Sequence, residues 1–379
     1  MACVPAKLPA PPPWRPGARP PVPASGVSLA RRACWGMSLL RAAVHRSGTD
    51  AVHPILAASC IALLSGCDNA RSALAPAGAE AHDVAQLFRV MVLGALIVWM
   101  AVVGFALYIS RAGHGAGEGV AARWLIIGGG VFTPTVVLGA LLIYGLQLMP
   151  QFREPGSADG LRVEVSGEQW WWRVRYVRTS GAQPIDVELA NEIRLPLGRR
   201  TEFRLGSPDV IHSFWIPALG GKVDMIPGRI TTLVLEPTRT GTYRGVCAEF
   251  CGASHAFMEF EAVVMERAAF EAWLQQQSAP AIAPVSAPAR RGLRVFESNG
   301  CGACHRVRGT DSNGPVGPDL THVGSRLGLA AGTLPNEAAG FRRWIARTHV
   351  LKPEALMPAF DMLPAADLDD LALYMESLQ

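Results

Sequence analysis

The sequence predicts a multidomain membrane protein with a two-helix transmembrane hairpin, an all-β domain and a smaller C-terminal domain. Three features of the 379-residue chain support this prediction: uncharged stretches between residues 90 and 149, short alternating segments after Pro150, and a Pro/Ala-rich stretch at 276–290. Half of the residues are hydrophobic and only 17% are charged, which is too apolar for a wholly soluble protein of this size.

The net charge of +4 is unevenly distributed along the chain. Residues 1–66 hold seven basic side chains and one acidic side chain, and the remainder therefore has a net charge of −2. Nucleic-acid binding through a general basic surface needs clustered Lys and Arg to neutralise phosphates. We therefore expect no nucleic-acid partner.

Residues 1–66 have the features of a leader rather than of a folded domain. Residues 1–36 are rich in proline, which breaks helices, and we interpret them as either disordered or untranslated. We favour the second interpretation, with translation starting at Met37. From Met37, basic residues precede an apolar segment at 55–64, as in a secretory signal. The following Leu-Ser-Gly-Cys67 resembles a bacterial lipoprotein cleavage box, which implies lipidation of Cys67. The alternative is a short apolar segment with a chance cysteine.

Two uncharged stretches, about 90–109 and 124–149, are long enough to span a bilayer as helices and define a hairpin at 84–150. The short loop between them carries Arg111 and Arg123 against the single acid Glu118. By the positive-inside rule this loop is cytoplasmic, so both flanking parts lie on the outer side of the membrane. The alternative, two buried core helices, is disfavoured by the length and uniform apolarity of the stretches.

Residues 160–275 show the alternation of apolar and polar residues that is typical of short strands. Examples are 161–165, 172–176 and 232–235, separated by turn-forming residues. This pattern predicts an all-β sandwich or barrel on the outer side of the membrane.

The end of the β domain carries a set of soft metal ligands within twelve positions. Thiols, an imidazole and a thioether occur at Cys247, Cys251, His255 and Met258, and a second imidazole, His212, lies upstream. Sulfur together with imidazole nitrogen is the ligand set that suits copper. A tetrahedral zinc site would gain nothing from the methionine. A disulfide between Cys247 and Cys251 would leave both histidines unexplained.

On this motif, residues 84–275 resemble subunit II of the haem–copper cytochrome c oxidases. The resemblance implies a cupredoxin domain that holds CuA, a binuclear centre with two copper atoms per chain. It implies bridging thiolates from Cys247 and Cys251, terminal imidazoles from His212 and His255, a weak thioether ligand from Met258, and a backbone carbonyl ligand from Glu249.

The same resemblance implies two further roles at the edge of the β domain. The carboxylate of Glu249 corresponds to a ligand of a magnesium ion at the boundary with subunit I. In the run Gln169-Trp170-Trp171-Trp172, Trp170 corresponds to the residue that receives electrons from cytochrome c. The family usually has Tyr where this chain has Trp171. Since side chains alternate along a strand, at least one of these tryptophans belongs to the ordinary core.

The segment after the predicted linker, 291–379, contains Cys301-Gly-Ala-Cys304-His305, the C-x-x-C-H arrangement of covalent haem c attachment. A thioredoxin-type redox pair is the alternative, but it has no need of the histidine. The segment resembles class I cytochromes c, which implies a small all-α domain with one haem. His305 would be the proximal ligand and Met357, preferred over Met362, the distal ligand.

Together these resemblances imply subunit II of a proton-pumping terminal cytochrome c oxidase with a fused cytochrome c domain. It would pass electrons from cytochrome c through its haem and CuA to subunit I, where dioxygen is reduced to water. The implied partners are subunits I and III, a cytochrome c or reductase complex as donor, and membrane lipid. The implied location is the bacterial cytoplasmic membrane, with both domains on the periplasmic side. The alternative is a membrane-anchored copper/haem electron carrier or a copper-assembly protein outside any oxidase.

Overall fold

The computed structural model of this chain describes residues 70–112, 119–148, 161–178 and 184–379. The predicted leader, 1–66, and Cys67 lie outside the described residues. Two apolar helices come first, two five-stranded sheets follow, and a mainly helical domain ends the chain. The fold class predicted from the sequence is confirmed.

Both apolar segments are helical and have the length and composition to cross a membrane, with mean hydropathies of 2.6 and 2.1. The first is α1, Ala79–Ala112. The second consists of α2, Val120–Ile127, a π-helical turn, Gly128–Phe132, and α3, Thr133–Leu148. Their apolar stretches are not covered by other described parts of the chain. Such uncovered surfaces are expected of helices that face lipid.

Helix α1 begins well before the predicted span at 90–109, because its first turns are attached to the β domain. The backbone of Ala77 donates to the Ala218 carbonyl and accepts from the Thr238 N–H, at 2.7 Å in both cases. The Glu80 carboxylate accepts from the Glu236 N–H at 3.1 Å. The helix therefore starts on the surface of the sandwich and leaves it as the apolar stretch begins.

The β domain is a sandwich of two five-stranded sheets, with strand orders β3-β2-β1-β5-β8 and β4-β10-β9-β6-β7. The strands are β1 Leu161–Glu168, β2 Trp171–Arg178, β3 Ile185–Ala190, β4 Glu192–Pro196, β5 Thr201–Gly206, β6 His212–Trp215, β7 Val223–Met225, β8 Thr231–Leu235, β9 Gly241–Cys247 and β10 Glu259–Met265. Burial alternates along β1 and β10 as the sequence pattern predicts, since successive side chains point to opposite faces.

Aromatic side chains fill the sandwich interior near the end that carries the predicted copper ligands. The ring of Trp172 meets that of Phe260 with centroids 5.2 Å apart, and Phe214 stacks on Phe260 at 5.0 Å. Gly245 on β9 lies directly over Phe260, where a Cβ atom would be only 2.0 Å from the ring. The close packing of this aromatic cluster therefore depends on the missing side chain at Gly245.

The predicted linker at 276–290 is shorter in the structure. Helix α4, Arg267–Ser278, continues into it, and α5, Ala287–Ser298, begins before its end, which leaves 279–286 between them. The Ser286 hydroxyl accepts from the Ala289 N–H, and a proline occupies the first turn of α5. Both features favour the start of a helix. The Pro/Ala-rich composition of the last predicted linker residues therefore belongs to the first turn of α5.

The C-terminal domain packs its first and last helices across each other, α5 against α8, Ala365–Ser377. A Cβ at Gly292 would lie 2.0 Å from the Asp370 carbonyl oxygen, and the rings of Phe296 and Tyr374 meet at 5.7 Å. The other elements are short 3₁₀ turns at Cys301–Ala303 and Val323–Ser325, β11 Gly328–Leu329, β12 Leu334–Pro335, α6 Ala338–Ala346 and α7 Thr348–Leu351. The small β11–β12 pair is an addition to the predicted all-α domain.

The close approach at Gly245 yields a stability prediction. Gly245→Ala should lower the free energy of unfolding of the sandwich by ~1–3 kcal/mol, because the added methyl must displace the buried Phe260 ring. The measurement is thermal unfolding of the full chain in detergent. Gly221→Ala is the matched control, since nothing lies within 4 Å of a Cβ at that position. Equal unfolding temperatures for the two variants would contradict the packing argument.

Candidate metal centres

Strand pairing brings the predicted copper ligands together from two parts of the sequence. Strand β9 ends at Cys247, and the loop beyond it carries Cys251 and His255 before β10 begins. The neighbouring strand β6 begins at His212 and pairs Phe214 with Cys247. The second histidine therefore lies beside the loop although it is 35 positions away in sequence.

The side chains in this loop form a compact set around two free thiols. The Cys247 and Cys251 sulfurs are 3.8 Å apart. His212 Nδ1 lies 3.8 Å from Cys247 Sγ, and His255 Nδ1 lies 3.5 Å from Cys251 Sγ. Met258 Sδ lies 3.8 Å from Cys251 Sγ. Two central thiols, each with its own imidazole, and one thioether fit a binuclear copper centre better than a tetrahedral zinc site.

Glu249 contributes two different groups at this site. Its backbone carbonyl oxygen is 3.2 Å from Cys247 Sγ, within reach of a metal held by the thiols. Its carboxylate is half exposed and lies 3.8 Å from Lys222 Nζ. The carbonyl thus faces the thiols while the carboxylate faces outward from the domain.

Hydrogen bonding and burial shift the pKa values of the two buried thiols. The hydrogen bond between the two thiols lowers the pKa of Cys247, although burial opposes this shift. The same pairing and burial raise the pKa of Cys251. A metal binds cysteine sulfur as the thiolate, so metal binding releases the protons that the two sulfurs carry.

Asp209, which the sequence analysis missed, orients the imidazole of His212. Its carboxylate lies 2.9 Å from His212 Nε2 and also accepts from the Gln169 N–H at 2.7 Å. Burial lowers the pKa of His212, but hydrogen bonds to Cys247 and Asp209 outweigh burial, so the pKa is raised overall. Fixing Nε2 in this way leaves Nδ1 directed at the thiols. In the sequence, the signal for this role is that an acid, Asp209, lies three residues before His212.

The three consecutive tryptophans have different environments. Trp172 is fully buried in the sandwich core, and Trp171 is partly exposed. Trp170 is also buried, and its indole N–H donates to the Cys251 carbonyl at 3.0 Å. Trp170 therefore contacts the copper-ligand loop directly, but it is not open to solvent as a surface residue would be.

The C-terminal domain contains a cavity of about 470 Å³ around the predicted haem-attachment motif. Cys301, Cys304, His305 and Met357 all line it, together with the apolar side chains of Leu320, Val323, Phe341, Trp344, Ile345 and Phe360. The observed donors and the largely apolar walls fit a covalently attached haem. Met362 is exposed and does not line the cavity, which favours Met357 as the distal ligand.

The environment of His305 fits the role of a proximal ligand. Its Nδ1 lies 2.8 Å from the Pro318 carbonyl oxygen, which leaves Nε2 free to bind iron. A Cβ at Gly317 would lie 2.5 Å from the imidazole, so only glycine allows this close approach. Burial lowers the pKa of His305, and the positive charge of Arg326 acts in the same direction. The ring is thus kept in the neutral form that metals bind.

The C-terminal domain contacts the sandwich close to both sites. The Ser254 hydroxyl, in the copper-ligand loop, donates to the Pro353 carbonyl at 2.6 Å. The Leu327 N–H donates to the Glu192 carboxylate at 2.7 Å. The cavity is lined by Trp170 and Trp171 of the sandwich as well as by the C-terminal domain. The predicted haem site and the predicted copper site therefore share a boundary.

Arg173 of the sandwich forms hydrogen bonds within its own domain and to the C-terminal domain. Its guanidinium donates to Glu168 at 2.8 Å, to Glu188 at 2.6 Å and to the Pro315 carbonyl of the C-terminal domain at 3.1 Å. It also lies 4.6 Å from the centroid of the Trp171 ring. The sequence analysis gave no signal for this residue, because an arginine alternating along a strand is typical of a solvated face.

Comparison with known proteins finds a match for each of the two domains after the apolar helices. The family model for the periplasmic domain of cytochrome c oxidase subunit II matches residues 177–266, and the model for cytochrome c matches residues 289–379. The β domain is therefore similar to a subunit II periplasmic domain, and the C-terminal domain is similar to cytochrome c. The resemblance to cytochrome c oxidase subunit II with a fused cytochrome c domain is thereby confirmed.

Individual relatives agree with these matches. The chain is 36% identical over 217 residues to cytochrome c oxidase subunit 2 of Alkalihalophilus pseudofirmus, covering 57% of this chain and 61% of the relative. It is 34% identical over 178 residues to the alternative cytochrome c oxidase subunit 2 of Bradyrhizobium diazoefficiens, covering 41% and 62%. The alignments thus span about three fifths of these relatives.

Among solved structures, the periplasmic domain of subunit II of cytochrome oxidase from Bradyrhizobium japonicum is similar to part of the chain. The sequence identity is 28% and the TM-score 0.29, and the match covers 32% of this chain and 96% of that one.

The hydrogen bond between Asp209 and His212 yields a prediction about copper binding. Asp209→Ala should weaken copper binding about 10–100-fold, because His212 loses the partner that orients its ring. Competition with a copper chelator in the full chain measures the affinity. Asp186→Ala, which removes a carboxylate that pairs with Arg175 on the same domain, is the control and should bind copper normally. Equal affinities in the two variants would show that Asp209 does not position the ligand.

Proposed function

We propose that this chain is subunit II of a proton-pumping terminal cytochrome c oxidase, and that it relays electrons from a cytochrome c donor towards subunit I, where dioxygen is reduced to water. The observation that carries the proposal is the shared boundary of the two donor sets: one cavity is lined by the haem-attachment residues and by Trp170, whose indole bonds to the carbonyl of Cys251. A chain with only one such site could bind a redox group but could not relay charge within itself.

When bound, haem c and a binuclear copper centre supply one-electron redox chemistry, which this chain's side chains lack. Cys301, Cys304, His305 and Met357 would hold the haem. His212, Cys247, Cys251, His255 and Met258, with the Glu249 carbonyl, would hold two copper atoms. The role of the protein is to fix these donors in advance, so that little rearrangement accompanies each change of charge.

The contacts between the domains support an internal path that starts at the C-terminal domain. Trp170 is buried in the chain, so an external donor would meet the C-terminal domain before it could reach this tryptophan. We therefore propose that Trp170 receives electrons from this chain's own cytochrome c domain. The external donor, a cytochrome c or a reductase complex, would dock on the C-terminal domain.

The remaining parts of the proposal concern the surroundings of the chain. The two apolar helices and the periplasmic-domain relatives fit a membrane-anchored protein with periplasmic domains. We propose the bacterial cytoplasmic membrane, with subunits I and III as partners and the Glu249 carboxylate as a magnesium ligand at the boundary with subunit I. Lipidation of Cys67 would give the mature chain a further anchor.

Metal content and electron paramagnetic resonance test the proposal directly. The purified full chain should contain about two copper atoms per haem iron, and in the oxidised protein the unpaired electron should be shared between both coppers. A single copper with a localised signal, or zinc in its place, would contradict the proposed centre. Ready loss of copper to a chelator would favour the alternative of a copper carrier or assembly protein.

Cleavage of the linker tests the role of the fusion. A protease site introduced at Pro284 lies between Ile282 and Val285, which are strongly exposed. Cutting should reduce turnover on reduced cytochrome c by at least about tenfold in dilute enzyme, because docking of the released domain becomes bimolecular. The uncut variant is the control. Unchanged turnover after complete cleavage, at every enzyme concentration, would show that the tether has no role in the relay.

A further inference from the structure

Lys352 is a buried lysine that forms no ion pair with an acid in the part of the chain that the structure describes. It follows α7, its side chain is 3% exposed, and it lines the cavity that contains His305 and Met357. Its ammonium donates to the Ala330 carbonyl at 3.2 Å. Burial lowers the pKa of Lys352 to about 7.

Burial of an unpaired ammonium is costly, and proteins normally pair such groups. The two acids that line the same cavity, Glu168 and Asp209, are already engaged within the sandwich. Glu168 accepts from Arg173, and Asp209 lies beside His212. The other cation that lines the cavity, Arg326, donates to the Asp319 carbonyl. The ammonium of Lys352 therefore has unused hydrogen-bond donors, and no carboxylate among the described residues accepts from it.

A haem provides the missing anions, because each porphyrin carries two carboxylates that must be placed in or beside a largely apolar cavity. We propose that Lys352 is the counter-ion of a haem carboxylate in the C-terminal domain. This inference rests on the haem assignment of the proposed function. The flexible stem of lysine allows its ammonium to keep the bond to Ala330 while it reaches the carboxylate, since an ammonium has three donors.

The pairing has a consequence for the redox behaviour of the domain. A positive charge held near the macrocycle stabilises the reduced form, which carries one more electron than the oxidised form. Lys352 also lies at the boundary with the copper-ligand loop, through the adjacent contact between Pro353 and Ser254. Lys352 therefore lies between the residues that would hold the haem and those that would hold copper.

The test compares Lys352→Gln with Arg343→Gln in the haem-loaded full chain. Arg343 is exposed on α6, so its replacement removes the same charge from the outer surface. Covalent haem content is measured first, because absence of haem from the unmutated chain would contradict the proposed function itself. With haem present, Lys352→Gln should lower the ratio of ferrous to ferric haem at a fixed potential about tenfold, which is about 59 mV. Arg343→Gln should leave it nearly unchanged.

Three outcomes would overturn the proposal. The first is an equal potential in Lys352→Gln and Arg343→Gln. The second is failure of Lys352→Arg, which keeps the charge, to restore the potential of the unmutated protein. The third is a change confined to the copper signal, which would show that Lys352 acts on Cys251 instead.

A measurement without mutation covers the case in which Lys352→Gln does not fold. The chain has three lysines, Lys7, Lys222 and Lys352, so lysine labelled with ¹⁵N at the side chain gives few resonances. A paired, buried ammonium should give a signal that persists at pH 8 and shifts between the ferric and ferrous states. Lys222, which is exposed on the sandwich, should show no such response. Absence of any lysine signal that depends on the haem oxidation state would contradict the pairing.

Discussion

The pairing of β6 with β9 is the constraint on which the copper site depends. It brings His212, at the start of one strand, next to Cys247, at the end of the other. Phe214 of β6 stacks on Phe260 of β10, whose ring packs over Gly245 of β9, so buried aromatic contacts join the strands that carry the candidate ligands. The candidate site is therefore built on strands that are packed into the core of the sandwich.

Most of the architecture could be predicted because it follows from periodicity. Uncharged stretches predicted the two apolar helices, and alternation predicted the strands, as the burial pattern of β1 shows. Helix boundaries were less accurate, because the start of α1 depends on backbone bonds to distant Ala218 and Thr238, which no local pattern reveals.

The candidate ligand sets stand out in the sequence for a different reason, since copper and haem sites need particular atoms at short spacing, and their role as ligands stays a prediction. The residues that support them could not be predicted. Asp209, Arg173 and Lys352 act through contacts across 3, 142 and 22 positions, and each side chain type is common on protein surfaces. Their importance comes from burial and from the approach of a second domain, both of which are properties of the folded chain alone.

The attachment of α1 to the sandwich also links the direction of this apolar helix to the position of the β domain. Backbone bonds at Ala77 and the Glu80 carboxylate tie the first turns of the helix to the domain surface. Because of these bonds, a change in the tilt of the helix would also move the sandwich. A change in bilayer thickness that altered the tilt of α1 would then raise or lower the loop from Cys247 to Met258 relative to the lipid surface. The lipid composition would in this way affect the position of the candidate copper site.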